Sequence, residues 1–501
     1  MRNKKVVIIG SGLGGLSCGV ILARNGFDVT VFEKSSQIGG CLQCFSRRGA
    51  KFETGMHFIG SAAKGQTLSN LMDYLEITKD IQLSQLDKTG YDVIALGGDT
   101  FKFANGREQF IAQMSEYFPK QRENIIRYYD LIEKVASASS LHSLDLIETD
   151  TVINAQYQMQ SINAVLDELI TDPLLAKVLV GNLPLYAAER DKTPFSTHAF
   201  IMDFYNQSAF RIVGGSDTIA LSMKRTIEKY GGVVKSLSPV THILCDESHA
   251  IGVEVGGEEF VEADYIISDI HPQRTVELID SKLLRPAFRN RVKNFPQTVG
   301  GFSVYLEFKD EAVPYMNYNY YGYNTDTPWE CETYDEDSWP KGYLYMHFCH
   351  NNQSKYAKTG VILSYMQMKD VERWMGTSVG RRGADYEEFK KMKAEKLLDS
   401  LELRFPGIRS CVKNYYTSTP LTYFDYTGTE GGSMYGVAKD VRLGIACRVP
   451  HRMKIPNVYQ TGQNINSHGM LGVLVGTIVT CSEFLSTQTI FEQIAKASKE
   501  Q

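Results

Sequence analysis

The stretch Lys5–Glu33, KVVIIGSGLGGLSCGVILARNGFDVTVFE, decides the fold. In Lys5–Ile9 (KVVII) the run Val6–Ile9 is unbroken and apolar, the pattern of a strand buried on both faces of a parallel sheet. Gly10-Ser-Gly12-Leu-Gly14-Gly15 follows, then apolar residues at helical spacing from Leu16 to Arg24 and a second strand pattern from Phe27 to Phe32. Strand, glycine turn, helix and strand in about thirty residues make a βαβ unit. Gly10, Gly12 and Gly15 fit G-x-G-x-x-G, with Gly14 in the same turn. The first glycine permits the tight turn, the second lets backbone approach a pyrophosphate at the helix N-terminus, and the third lets helix pack on strand. Glu33 ends the second strand, 23 residues after Gly10. A carboxylate there accepts hydrogen bonds from both ribose hydroxyls and repels a 2′-phosphate.

Outward from this unit, the chain reads as ordinary globular protein. It has 501 residues, 43% hydrophobic and 22% charged, which excludes a mainly disordered chain, a collagen-like repeat and a disulfide scaffold. The formal net charge of −5 offers no positive field for nucleic acid, so no nucleic-acid partner is expected. Nine cysteines, odd in number and widely spread, read as reduced thiols in a cytoplasmic compartment. The N-terminal apolar run passes directly into the glycine motif, so it is not read as a signal peptide. The longest apolar window, Gly469 to Cys481, is too short and glycine-rich for a membrane span.

Further strands of the same layer are expected at Ala263–Ser268 and Asn457–Thr461, the latter followed by Gly462-Gln-Asn and an apolar helix from about Gly469. Between them, Asp73 to Thr197 reads as helix-rich, with Glu123–Val135 as one helix, and Pro296 to Met368 reads as aromatic and strand-like. The expected architecture is therefore α/β. A Rossmann-type dinucleotide domain (residues 1–72, 205–275 and 436–501) interleaves with a mixed sheet-and-helix substrate domain (73–204 and 276–435).

The segment Gly39–Gly60, GGCLQCFSRRGAKFETGMHFIG, resembles the second flavin-contact segment of the phytoene desaturase, carotenoid isomerase and retinol saturase flavoproteins, with the nearest likeness to the retinol saturase branch. Ile212–Asp217 with Gly231-Gly232 and Val240–Ile243 resembles that family's middle segment, and Tyr459–Asn464 with His468–Val473 its C-terminal flavin segment. Amine oxidases of the wider superfamily usually carry Arg where Cys41 stands, a departure that argues against amine oxidation. The resemblance implies non-covalent FAD. It also implies cofactor contacts at Lys34, Gly39, Gly40, Cys41, Val240, Gly462, Gln463, Asn464, His468, Gly472 and Val473, beside those of the glycine turn and Glu33. It implies an oxidoreductase acting on carbon–carbon double bonds of a long apolar polyene or lipid by hydride transfer at the flavin N5. Two alternatives stay open: a flavin-dependent polyene cis–trans isomerase, and a non-catalytic lipid-shielding protein like the GDP dissociation inhibitors.

A flavin does the redox chemistry, and the protein supplies position and a proton. His57, after the Thr54-Gly55 turn, is the first candidate acid or base, weighed against a purely structural histidine; His468 has a similar but weaker case. Cys41 and Cys44 form C-x-x-C, read as incidental packing or flavin contact in preference to a redox dithiol. Tyr315, Tyr318, Tyr320, Tyr321, Tyr323 and Trp329 are read either as the wall of an apolar channel or as a tyrosine-rich surface hairpin. Leu284–Phe295 has apolar residues at helical spacing and Arg285, Arg289, Arg291 and Lys293 between them, which allows peripheral membrane contact or a solvated helix packed on the core. No metal motif is present, and no second G-x-G-x-x-G has its own βαβ context. The electron donor or acceptor stays open among a visiting nicotinamide, a quinone, oxygen and another redox protein.

Overall fold

In a computed structural model, which describes residues 3–145, 150–352 and 354–500, the N-terminal unit is β1 (Lys5–Ile9), α1 (Leu13–Arg24) and β2 (Asp28–Phe32). Three later strands complete its sheet: β3 (Val233–Lys235), β4 (Tyr265–Ser268) and β5 (Val458–Gln460). All pairs are parallel, in the order β3-β2-β1-β4-β5. β1 is central and its Val6–Ile9 side chains are buried, as its unbroken apolar run requires. Helix α1 covers one face with α2 (Gly469–Cys481), the apolar segment too short to span a membrane. Among the described residues no helix is long and apolar enough to cross a membrane.

A seven-stranded sheet lies beside this layer. Its order is Val412–Ser418, Gly300–Phe308, Thr359–Met366, Gly342–His347, Asn319–Tyr323, Asp92–Leu96 and Asp99–Phe103. Four strands fall in the aromatic region as read. The hairpin Asp92–Phe103 was not anticipated, because its region is otherwise helical. Gly97 and Gly98, both at positive φ, make its turn (φ 64° and 95°), the left-handed geometry that tight hairpins need. Asp92–Leu96 then joins Asn319–Tyr323 in parallel, which ties two remote parts of the chain into one sheet. One face of this sheet carries the helix Ala384–Arg404, whose Leu397 and Leu401 are buried against it. On the other face Leu344 and Leu363, a directly opposed pair, line the main cavity.

One expectation about surfaces is corrected, and of the two readings of the basic helix the one packed on the core holds. The tyrosine cluster is neither channel wall nor surface hairpin. Tyr320, Tyr321, Tyr323 and Trp329 are buried core residues, and none lines the main cavity. The basic helix, observed at Pro286–Lys293, has no apolar stripe free for a bilayer. Leu284, Phe288, Val292 and Phe295 are all buried, packed with Ile243, Val253 and Val276. Two of its four cations are structural too. Arg291 lies over the rings of Phe288 and Phe295, and Arg289 donates to the carbonyls of Leu284, Val276 and Ser281 at 3.1, 2.9 and 3.2 Å. The sequence pattern of a packed helix and a membrane-lying one is the same; only the partner face distinguishes them.

Replacing Arg289 with Ala leaves three backbone carbonyls without this donor. Chemical denaturation is expected to show a loss of about 2 kcal/mol, from hydrogen bonds to a charged group. Binding of the native protein to anionic liposomes is expected to be insensitive to Arg285, Arg291 and Lys293, as a sedimentation assay with their Gln variants would show.

Candidate active site

The turn between β1 and α1 is held by backbone bonds before any side chain acts. Gly10 N–H donates to the Phe32 carbonyl at 2.8 Å, and Asp269 N–H, just past β4, donates to the Ile9 carbonyl at 2.8 Å. Thr461 N–H donates to the Ser268 carbonyl at 2.9 Å, which sets the end of β5 beside that of β4. The carboxyl ends of β1, β4 and β5 therefore meet at the N-terminus of α1. Gly12 caps this helix without a side-chain bond, and its first turn holds no acid. The positive end of the helix dipole thus faces the cleft, the arrangement that attracts an anion, and the Gly12 and Gly15 N–H groups face the Asp269 carboxylate.

The cleft opens into a cavity of ≈ 320 Å³. It is bordered by Gly10, Gly12, Gly14, Glu33, Lys34, Gly39, Gly40, Cys41, Val240, Gly462, Gln463, Asn464, His468, Gly472 and Val473, with His57 in the same cavity. Of the residues expected at the cofactor, only Gly15 is not on this wall. A Cβ on Gly15 would stand 2.2 Å from the Gly10 carbonyl oxygen, so this glycine serves the close packing of turn and helix. The cavity continues past the cradle between Phe58, Leu185, Phe204, Leu344, Leu363 and Tyr435. One space therefore joins a polar glycine cradle to an apolar, ring-lined chamber.

Glu33 is buried, and its carboxylate is fixed. Oε2 accepts from Ser11 N–H and Oγ–H at 3.1 and 2.7 Å, and Oε1 accepts from Ser35 N–H at 2.9 Å. Lys34 is exposed at the rim, where its Nζ donates to the Asp425 carbonyl. Asn464 ties the C-terminal loop to the strand-like segment before it. Its Oδ1 accepts from Val437 N–H at 2.8 Å, and its carbonyl accepts from Lys439 Nζ at 2.7 Å. His468 precedes α2, packs 4.6 Å from the Tyr435 ring and keeps Nε2 buried without a partner. Burial lowers its pKa to about 3, followed by the effect of Lys439, so it is neutral. This favours a contact role over proton donation.

Cys41 borders the cavity, and Cys44 lies behind it with Sγ 3.6 Å from Ser216 Oγ. Desolvation pushes the two thiols up to about 11 and 12, with Asp269 adding at Cys41 and Glu53 at Cys44. Neither is a thiolate at neutral pH, so the pair lacks the reactive form a redox dithiol needs. Gly55 explains how the His57 segment reaches the cradle: a Cβ there would meet Cys41 Cβ at 3.0 Å. His57 stacks on Phe348 at 5.7 Å, and its Nδ1 faces Glu53 Oε2 at 3.6 Å.

Sequence reading missed four residues of this site. Glu53 stands four positions before His57 in a run read only for its turn. His142 and Tyr423 come from inserted regions and reach the cavity wall by folding alone. Asp269, at the end of a strand already recognised, carried a legible signal, because strand carboxyl ends deliver ligand-binding groups in such sheets. No group of side chains able to hold a metal exists among the described residues.

The cradle's fit to a dinucleotide is tested by adding a methyl group. At Gly12 a Cβ would lie 2.5 Å from Asp269 Oδ2, at Gly14 2.7 Å from Gly462 N, and at Gly462 2.4 Å from Asp269 Oδ1. The three backbones therefore meet more closely than any side chain would allow, and the same glycines border the cavity. Glu33→Ala removes the fixed ribose acceptor. Dinucleotide retention after gel filtration is expected to fall by at least ~tenfold in affinity, the effect of losing about 1.5 kcal/mol of charge-assisted bonding, while the far-ultraviolet spectrum stays that of the native protein.

Comparison with known proteins agrees with this geometry. Residues 13–380 match the family model for flavin containing amine oxidoreductases. All-trans-retinol 13,14-reductase of Rattus norvegicus is 29% identical across 98% of this chain and 87% of its own length. Prolycopene isomerase 2 of an Oncidium hybrid cultivar is 24% identical across 98% and 85%. Among solved structures, an oxidoreductase from Methanosarcina mazei superposes with a TM-score of 0.65 at 16% identity, covering 95% of this chain and all of that one. Putrescine oxidase follows at 0.63 and 14% identity, covering 99% of each, a likeness of fold. The open helix terminus, the fixed Glu33 and a model match over most of the sequence lead to one conclusion: the chain belongs to the flavin-containing amine oxidoreductase family and is an FAD-dependent oxidoreductase.

Proposed function

We propose that the chain adds two hydrogens across a carbon–carbon double bond of a long apolar polyene of the retinoid or carotenoid type. The observation that carries this reading is the single cavity shared by the cofactor cradle and the chamber lined by Phe58, Leu185, Phe204, Leu344, Leu363 and Tyr435. Such a chamber buries an extended polyene on rings and aliphatic groups and offers little to a charged amine. Similarity to all-trans-retinol 13,14-reductase along nearly the whole chain supports the same substrate class. Cys41, where amine oxidases usually have Arg, supports it further.

FAD, once bound and reduced by a two-electron donor, would supply the hydride and return to its oxidised form. The chain's own residues do the rest. The apolar wall excludes water and holds the double bond in place, which is the larger part of catalysis for a substrate with no polarisable carbonyl. His57 supplies the proton. Its Nδ1 faces Glu53, so Nε2 is the nitrogen left to exchange a proton with a ligand in the cavity. Glu53 and His57 are both buried, Glu53 faces Nδ1 at 3.6 Å without a hydrogen bond, and Phe348 packs on the face of the ring. Burial raises the pKa of Glu53, and the proximity of His57 and then Arg211 counters that rise. In this reading the cofactor domain is 1–72, 205–275 and 436–501, and the substrate domain is 73–204 and 276–435. All nine cysteines are free, which supports a reducing compartment such as the cytoplasm.

A second reading, cis–trans isomerisation by reduced flavin, is favoured by the prolycopene isomerase similarity. Product mass separates them. With the photoreduced holoenzyme and all-trans-retinol or a carotenoid under anaerobic conditions, the expected product is ~2 Da heavier, from one hydride and one proton. An isomerised product of unchanged mass overturns the reductase reading. His57→Ala is expected to lower kcat by ~10²-fold or more with flavin absorbance retained; an unchanged kcat removes His57 from the chemistry.

A further inference from the structure

Asp269 has no part in the reaction described above, yet the cradle is built around it. Its carboxylate sits where the turn before α1 meets the loop after β5. A Cβ at Gly12 or Gly15 would lie 2.5 or 3.1 Å from Oδ2, and one at Gly14 or Gly462 would lie 2.6 or 2.4 Å from Oδ1. The residue borders the cavity, while its Oδ2 is enclosed and makes no hydrogen bond. The N–H groups of Gly15 and Gly12 face the carboxylate, so it lies in the field that attracts a pyrophosphate. An ionised carboxylate and a pyrophosphate would share one small anion site.

We propose that Asp269 is a cofactor-binding residue that takes up one proton from solvent when FAD binds, and that cofactor affinity is therefore linked to pH. The carboxylate becomes a carboxylic acid, gaining a hydrogen-bond donor at an oxygen that otherwise has no partner. The inference needs only a flavin dinucleotide in the cradle and does not depend on which bond the enzyme reduces.

The charges around Asp269 point the same way. Burial lifts its pKa to about 7; the Gly15 and Gly12 N–H groups lower it, and Glu33 raises it. Cys41, on the adjoining segment, is a neutral thiol below about 11. His271, two residues on, bonds Gln297 through Nε2 and is held neutral, its pKa lowered to about 4 mainly by burial. On the C-terminal loop His468 is neutral, and Lys439, lowered to about 8 by burial, bonds the Asn464 carbonyl. No cation in this set faces Asp269 to offset the pyrophosphate. Added negative charge raises the pKa of Asp269 still further. By linkage, affinity is then full below the pKa of the free cradle and falls as pH rises towards that of the bound form.

The test is FAD release from the holoenzyme, followed by fluorescence at equilibrium between pH 6 and 9, with calorimetric titration of the deflavinated full chain at pH 8 in two buffers of different ionisation enthalpy. The wild-type Kd is expected to rise above about pH 7, approaching tenfold per unit, with uptake near one proton at pH 8. Asp269→Asn is expected to flatten the profile and abolish the uptake, whereas Lys439→Met keeps both. Equal slopes for wild type and Asp269→Asn, or no uptake in wild type, overturn the proposal. Should Asp269→Asn not fold, the Lys439→Met chain decides: persistent uptake supports Asp269, and lost uptake transfers the proton to Lys439 and overturns the assignment.

Discussion

The close approach of three backbone segments at the N-terminus of α1 is the constraint on which the rest of the structure depends. The turn at Gly10–Gly15, the end of β4 at Asp269 and the loop at Gly462 come together with no room for a side chain between them. Short backbone bonds from Gly10 to Phe32, Asp269 to Ile9 and Thr461 to Ser268 hold them there. The first N–H groups of α1 have no acceptor within the helix; those of Gly12 and Gly15 face Asp269, and burying the others without an acceptor is costly. A dinucleotide satisfies that need, which makes the cofactor part of the fold's polar accounting and not an addition to a finished structure.

The catalytic chamber follows from what is packed on that junction. The seven-stranded sheet presents Leu344 and Leu363 to the same cavity that the glycine turn opens into. The Gly55 turn packs against Cys41, and His57 reaches the wall of the same cavity. Burial does the chemical sorting. It holds His468 neutral and keeps both thiols of the C-x-x-C pair protonated, while Glu53 stands beside His57 as its one carboxylate partner at that wall. Residue types alone did not show this; desolvation leaves His468 and the two thiols as neutral contacts.

Surfaces were not legible where two structures share one pattern. Phe288 and Val292 at helical spacing, with arginines between, describe a packed helix and a membrane-lying helix equally well. Tyr320 and Tyr323 could not be assigned to core or channel, because alternation says that a strand has two faces and not what covers each. The covering pieces are remote: Asp92–Leu96 pairs beside Asn319–Tyr323 across more than two hundred residues.

The sequence by itself determined the cofactor half of this protein. Strand, glycine turn, helix and terminal acid are local in sequence and each has a local physical reason, so Gly10, Gly12, Gly15 and Glu33 were legible without coordinates. The Gly39–Cys41 and Gly462–Asn464 segments were legible only as a likeness, since their spacing carries no such geometry. Tertiary structure decided the rest. It brought Asp269 under the glycine turn and made His142, Tyr423 and Leu344 walls of one cavity. These are contacts between segments distant in sequence, specified by which faces pack together, and no short-range pattern encodes that choice.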